Sequence, residues 1–521
     1  MLDETPSMNV VESIAQHARF RGIRTALICG ERRVNWTDFN AQVDAIAGKL
    51  TEKGLKKGNK VALLSLNSID AVGVMFGVMR AGGVVVPLSA LLAPQQVASL
   101  IDDSSSEFIF CDAHLQSLIA PVLAQIRIPA HRRIAVGFSG EGWTKLTEFT
   151  SVPSTRDPYV QLRDEDEANI MYSSGTTGVP KGIVHDHRAR FLMALGLAAE
   201  LRIDSSAITL LTTPLFSNAT WAALLPTVIM GGTTVMLVRF TPEDFLEAVE
   251  RERASHTLMV PVQIQSLLSS AALQLRDTTS LRIVVSVGSA MSPELKELFW
   301  QTLGNRLVDV YGLTEGVGTI LKPEEMRNKM TSVGTPRLDA DIRIIDDAGQ
   351  EVETGQIGEI VGYSGALMKR YHNQSQATED AIWRDERGRV FLRTGDMGRL
   401  DEDGYLYILD RKKDMIISGG FNVFAIDIET VLSQHPAVAE ACVIAVPNEK
   451  WGESPLALIV RRVGATANEE EIREWVNSRL AKHQRICAVE FREELPRNAV
   501  GKILKKVLRE PYWRQGKIPV G

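Results

Sequence analysis

KVALLSLNSIDAVGVMFGVMRAGGVVVPLSALLAPQQVASLIDDSSSEFIFC, residues 60–111, alternates short apolar runs with segments of helical period. VALLSL reads as a buried strand, Ser68 to Ala81 as a helix, and Gly82-Gly83 as the break before the strand VVVPL. A second helix around Gln95–Ile101 then leads to the strand EFIFC. Strands and helices in strict alternation predict βαβ units, a largely parallel sheet and helices packed on its faces. The same texture continues outward. SHTLMVP precedes QIQSLLSSAA, and LRIVVSVG precedes SPELKELFWQTL, where Ser292 is the N-cap and Pro293 the first helical residue. Around Tyr363 the texture changes to ADIRIIDD, GQIGEIVGY and RVFLRTGD, short strand-like runs divided by turn residues. These predict an antiparallel or barrel-like subdomain. Beyond the charged cluster Arg411-Lys412-Lys413-Asp414 a new, shorter α/β pattern begins. The expected fold class is α/β: a large N-terminal domain (1–410) of α/β layers plus a small barrel-like β subdomain, followed by a small α+β C-terminal domain (411–521).

A chain of 521 residues is too long for one compact core. Its net charge of −6 gives no overall attraction to nucleic acid, so a polyanionic ligand must be held by local groups. Four dispersed cysteines without a CxxC pair exclude a disulfide framework and point to a reducing compartment. The apolar stretches Ala71–Pro87 and Ala222–Val238 are broken by Arg80, Pro226 and glycine pairs, short of the ~20 continuous apolar residues of an integral membrane segment. The acidic N-terminus is no secretory signal. The expectation is a soluble, cytoplasmic protein.

Tyr172-Ser173-Ser174-Gly175-Thr176-Thr177-Gly178-Val179-Pro180-Lys181-Gly182 follows the strand-like ANIM. Three glycines leave the backbone free to fold its N–H groups around an anion, and the hydroxyls and Lys181 add donors and charge. A nucleotide triphosphate suits such a loop. It is not a Walker A loop, because Pro180 and Gly182 stand where that motif needs Gly and Ser/Thr. Further along, Tyr311-Gly312-Leu313-Thr314-Glu315 follows the strand-like RLVDV, at the strand end where open α/β sheets bind ligands.

With Arg393-Thr-Gly-Asp396, Asp410-Arg-Lys-Lys-Asp414, Ser418-Gly419-Gly420 and Pro496-Arg-Asn-Ala-Val-Gly-Lys502, these motifs stand in the order of a known family. The chain resembles the adenylate-forming (AMP-binding) superfamily, in its acyl-CoA and aryl-CoA synthetase branch, along its whole length. The resemblance implies an acid–thiol ligase that uses ATP, Mg²⁺ and coenzyme A. A carboxylic acid becomes an acyl-adenylate with pyrophosphate release, and the acyl group then passes to the CoA thiol. Lys502 is the implied catalytic cation, with Thr314 on a phosphate oxygen and Glu315 as the metal ligand. The ATP site would include the phosphate loop (Ser173 to Gly178 and Lys181), an adenine wall at Gly288-Ser289-Ala290, Asp309, Tyr311 and Gly312, and Asp396 and Arg411 for the ribose. Lys413 aligns with the hinge about which the small domain turns between half-reactions. Ser418, Gly419, Gly420 and Trp451 would border the CoA channel.

Two positions depart from the family pattern. Ser217 stands where relatives carry a histidine, and Phe421 where most carry Glu. By alignment the acid pocket draws on Ser217, Asn218, Ala219, Trp221, Ala223, Val260, Gly312 and Val317. These are mostly small or apolar, which implies a hydrophobic acid, aryl or medium-chain acyl. Trp221 either closes the pocket or fills the core, and His185 and His187 read as structural or solvated. The other readings are an acyl-AMP ligase serving a carrier-protein thiol, which the lack of a carrier domain before Gly521 disfavours, and a silent acyl-nucleotide binder. A second copy of the chain in a homodimer and a lysine acetyltransferase acting on Lys502 are candidate partners; nucleic acid is not.

Overall fold

A computed structural model describes residues 9–151, 160–173, 180–419, 421–497 and 503–514. By packing they form two units. One comprises the residues up to Asp341 and Gly362–Leu392, the other Ile342–Val361 and the residues from Arg393 onward.

The first unit contains two sheets. One runs in the order Thr335–Pro336, Gly318–Leu321, Leu307–Gly312, Ile283–Val287, His256–Met259, Ile208–Leu211, Thr233–Met236, Thr25–Cys29 and Arg32–Asn35. The strands from Leu307–Gly312 to Thr25–Cys29 are parallel, as the alternating helices require. The other is ordered Arg370–Tyr371, Lys181–Asp186, Glu167–Ser173, Val84–Pro87, Lys60–Leu64, Ser106–Asp112, Arg133–Val136 and Thr144–Lys145.

Residues 60–111 explain why the second sheet is covered on both sides. In Lys60–Leu64, Val61 and Leu63 join a core with Leu27, Trp36, Phe39 and Phe76, whereas Ala62 and Leu64 join another with Val86, Leu100 and Ile109. A period of two with both faces apolar buries both faces. The helix expected from Ser68 is Ile69–Arg80, and the Ser68 hydroxyl caps it by accepting from Ala71 N at 3.0 Å.

In the second unit the strand Val390–Leu400, from Arg393 on, pairs with Leu406–Arg411 through Asp396↔Arg411 and Met397↔Asp410. Lys412 Nζ reaches Asp347 at 2.8 Å and Glu359 at 3.2 Å. These bonds fasten 342–361 and 393–410 to the chain that follows, so packing draws its line elsewhere than at 410/411. A further sheet runs Phe421–Val423, Ile416–Ser418, Gly452–Arg461, Val438–Asn448, with Ala488–Phe491 parallel to Gly452–Arg461. Val443 and Ala445 pack with Ile428 of helix Ala425–Ser433 and Ile472 of helix Glu469–Asn477. Cys442 and Ile444, on the opposite face, pack with Leu508 and Tyr512 of helix Lys505–Arg514. Among the described residues no helix is long and apolar enough to cross a membrane.

Candidate active site

The strands Glu167–Ser173 and Lys181–Asp186 form an antiparallel pair in which Ser173 faces Lys181. The glycine–threonine segment therefore leaves and re-enters the sheet at neighbouring positions. Ser174, Gly175, Thr176, Thr177 and Gly178 lie outside the described residues. Lys181 places its ammonium 4.5 Å from the ring centroid of Tyr371, which sits on the next strand in register with Ile183. The Tyr371 hydroxyl in turn donates to Glu315 Oε1 at 2.9 Å.

Thr314 and Glu315 occupy the tight turn after strand Leu307–Gly312, closed by Leu313 N to Val317 O at 2.9 Å. Both side chains are half-buried. Gly316 is required here: φ is +107°, and a Cβ would lie 2.1 Å from Ala366 O. The Gly316 carbonyl accepts from Ser364 Oγ at 2.8 Å and Arg337 Nη2 at 3.1 Å. Buried His185 adds a third support, with Nε2 2.8 Å from Thr314 O. A carbonyl only accepts, so Nε2 carries the proton, and burial drives the imidazole pKa well below its usual value. His187 is likewise buried, its pKa lowered to about 4 by desolvation. Neither histidine is solvated.

The strand Ile283–Val287 runs parallel to Leu307–Gly312, with Ser286 beside Asp309 and Val287 beside Val310. Their C-terminal ends thus bring Gly288-Ser289-Ala290 alongside Tyr311-Gly312 at the carboxyl edge of a parallel sheet, the edge where open α/β sheets bind ligands. Gly288, Ala290 and Gly312 are exposed, and Tyr311 and Ser289 half-exposed. Asp309 differs. Its carboxylate is buried against Lys296 Nζ at 2.7 Å, and Lys296 also donates to Met330 O at 2.8 Å. Burial pushes this carboxyl upward and Lys296 opposes the push. The Asp309 carboxylate is thus engaged inside the fold and is not free for a ligand.

Among the residues expected to line the acid pocket, Ser217 caps helix Asn218–Met230, its hydroxyl accepting from Ala219 N at 3.3 Å. Asn218 and Ala219 keep partial exposure. Trp221, Ala223, Val260 and Val317 are all buried. Trp221 fills the core, its indole N–H donating to Leu215 O at 2.8 Å. Sequence reasoning missed Arg190, on helix His187–Glu200. It is fully buried, and its guanidinium donates to Asn169 Oδ1 and Asn218 Oδ1, both at 2.7 Å, and lies 4.8 Å from the Trp221 ring. Burial lowers its pKa to about 9, which leaves it charged at neutral pH. Its signal in the sequence was an arginine immediately before the apolar run Phe191–Ala199 of its helix.

The second unit supplies its own group. Asp396 Oδ1 pairs with Arg411 Nε at 3.1 Å across the hairpin, and both strands are held by Glu359, which bonds Arg393 and Lys412. The Lys413 carbonyl accepts from Arg509 Nη1 at 3.3 Å, and Arg509 also reaches Asp414 at 3.7 Å. Ser418 is buried; Gly419, with φ +59°, donates its N–H to Trp451 O at 2.8 Å. Trp451 is 43% exposed, with Lys450 Nζ 4.7 Å from its ring centroid. Phe421 stacks on His483 at 5.1 Å. Gly420 and Lys502 lie outside the described residues; Arg497 and Ile503 form an antiparallel bridge.

Residues 14–372 match the family model of the AMP-binding enzymes, and residues 427–502 that of the AMP-binding enzyme C-terminal domain. The chain belongs to the AMP-binding enzyme family. Long-chain-fatty-acid–CoA ligase FadD13 of Mycobacterium tuberculosis is 34% identical over 92% of this chain and 93% of its own length. Indoleacetate–CoA ligase of Aromatoleum aromaticum is 31% identical over 96% and 98%. ATP-bound MatB from Rhodopseudomonas palustris superposes with a TM-score of 0.87 over 98% of this chain and 100% of that one, at 27% identity. Within this AMP-binding enzyme the described groups divide into a hairpin that carries Lys181, a carboxylate-bearing turn and a pair of adjoining strand ends in the first unit, and a carboxylate–arginine pair in the second. Adenylate-forming CoA ligation fits these relatives.

Proposed function

We propose that this enzyme activates a hydrophobic carboxylic acid, aryl or medium-chain acyl, as its adenylate and transfers the acyl group to coenzyme A. The observation that supports the reading is the linkage of Lys181 and the Glu315 carboxylate through Tyr371, which brings a cation and an anion near one side chain beside the strand that follows the glycine–threonine segment. In the first half-reaction a substrate carboxylate oxygen attacks the α-phosphorus of ATP and pyrophosphate leaves. Lys181 and the loop N–H groups hold the leaving phosphates, the Thr314 hydroxyl bonds a phosphate oxygen, and Lys502 stabilises charge between carboxylate and α-phosphate. Glu315 fits Mg²⁺ as a hard oxygen donor, since Tyr371 engages one carboxylate oxygen and leaves the other for a metal. When bound there, Mg²⁺ would neutralise phosphate charge. Tyr311 and Gly288-Ser289-Ala290 flank the adenine, and Asp396 with Arg411 receives the ribose.

In the second half-reaction the CoA sulfur attacks the acyl carbon and AMP departs. For this step the residues from Arg411 onward turn about Lys413, so a boundary of motion at 410/411 lies inside a unit defined by packing. Ser418, Gly419, Gly420 and Trp451 then line the thiol's path. FadD13 takes long-chain fatty acids and the Aromatoleum enzyme indoleacetate, and small or apolar residues at Ala219, Ala223, Val260 and Val317 suit either class of tail. The test is acid-driven exchange of labelled pyrophosphate into ATP, followed by identification of the product with CoA across a panel of aliphatic and aromatic acids. A CoA thioester with AMP release is expected. No exchange with any acid would overturn the adenylation; exchange without a CoA product would assign the acyl group to another thiol.

A further inference from the structure

We propose that Tyr371 is a positioning residue that fixes the Glu315 carboxylate for its metal ion and holds Lys181 apart from it. The inference rests on the nucleotide reading above and adds a residue which that reading does not require. Tyr371 is 7% exposed and is anchored by its backbone on both sides. Met368 N donates to Glu315 O at 2.7 Å, and Lys369 N donates to Val184 O at 2.8 Å. Tyr371 N donates to Thr378 Oγ1 at 3.0 Å. Residues 368–371 therefore stitch the Glu315 turn to the strand that carries Lys181, and the side chain of Tyr371 repeats the stitch. Its hydroxyl donates to Glu315 Oε1 at 2.9 Å while its ring faces the Lys181 ammonium at 4.5 Å.

The chemistry of the two contacts differs in a useful way. A phenol O–H orients a carboxylate without adding charge, so the anion keeps its attraction for a cation. An ammonium in the same place would form an ion pair and cancel it. Lys181 is seated on the ring's negative face, yet among the described residues it pairs with no carboxylate. One side chain thus keeps a cation meant for phosphate and an anion meant for metal from neutralising each other.

Tyr371→Phe removes the hydroxyl and keeps the ring, so it isolates the Glu315 contact. Its effect is read by calorimetric titration of ATP into the full-length enzyme at a series of Mg²⁺ concentrations, and by the Mg²⁺ dependence of pyrophosphate exchange. The half-saturating Mg²⁺ concentration is expected to rise about ten-fold in both, as for loss of a residue that orients a metal ligand. ATP affinity at saturating Mg²⁺ should stay within about two-fold of wild type, because the uniform binding groups remain. In a Glu315→Gln background the same change should add nothing to the Mg²⁺ requirement. A merely structural tyrosine would lower turnover with no shift in Mg²⁺ dependence. An unshifted Mg²⁺ requirement in Tyr371→Phe, beside a shifted one in Glu315→Gln, refutes the positioning role alone. An unshifted requirement in Glu315→Gln refutes the metal reading of Glu315 and the role of Tyr371 with it.

Discussion

Replacing Lys296 by Met would leave the Asp309 carboxylate buried without its cation. The pair is 2.7 Å apart, with the two side chains only 3% and 6% exposed, so water cannot take the ammonium's place without entering the core. Removing one member of such a pair costs about 3–5 kcal/mol, most of it the penalty of the orphaned charge. At about 2.1 cal/mol/K per residue over a unit of roughly 370 residues, that loss corresponds to a fall of about 4–6 °C in the melting temperature of the first unit. The deficit should depend on pH. With Lys296 gone, the folded pKa of Asp309 is raised further above its unfolded value, so the folded state prefers the protonated acid. The deficit is then smaller at pH 5 and grows as the pH rises through the folded pKa toward 8. The double variant Lys296→Met/Asp309→Leu removes both charges and should recover most of the loss. Differential scanning calorimetry at the two pH values decides the matter. A single variant that melts with wild type, or a double variant as weak as the single one, would refute the reasoning.

His187, with its pKa lowered to about 4 from 6.5, is neutral in the fold and takes up a proton on unfolding. Its contribution, about 3 kcal/mol in full, is present above pH 6.5 and is lost as the pH falls toward 4. His187→Gln should flatten the urea midpoint against pH across that window, and an unchanged slope would show that the imidazole is not desolvated. Gly419→Ala places a Cβ 2.7 Å from Trp451 Cε3 at a φ of +59°. Thioester formation should fall at least about ten-fold while acid-driven pyrophosphate exchange persists. Equal loss of both would remove Gly419 from the CoA path.

Local signals were legible in the chain because they act over a few residues. Ser68 and Ser292 each stand before an apolar helical period, and each caps its helix by accepting an N–H three residues on. The parallel course of the strands that end at Val287 and Gly312 agrees with the alternating pattern of strands and helices. Links made by strand order alone were not legible. Tyr371 is 56 residues from Glu315, and nothing near either residue announces their hydrogen bond. Lys296 reads as a helix-surface lysine until the fold lays Asp309 beside it. The motif boundary at Asp410 was visible as a charge cluster, but the hairpin that fastens 393–400 to 406–411 depends on pairing that no local composition reveals.

Ser217 and Arg190 make sense together. The position where relatives carry a histidine holds a serine whose hydroxyl is spent on capping the helix that starts at Asn218. The neighbouring Asn218 uses its amide oxygen for Arg190. A guanidinium only donates, so the Asn218 carbonyl must face it and the amide N–H groups must face away. Among the described residues the arginine has no carboxylate partner; two amide oxygens and the face of Trp221 offset the cost of burying it, and its charge is left over. That charge adds to the positive end of the helix dipole at Asn218. The wall proposed for the acid is therefore biased toward an anion by the buried Arg190 cation, whose pKa burial lowers without discharging it at neutral pH.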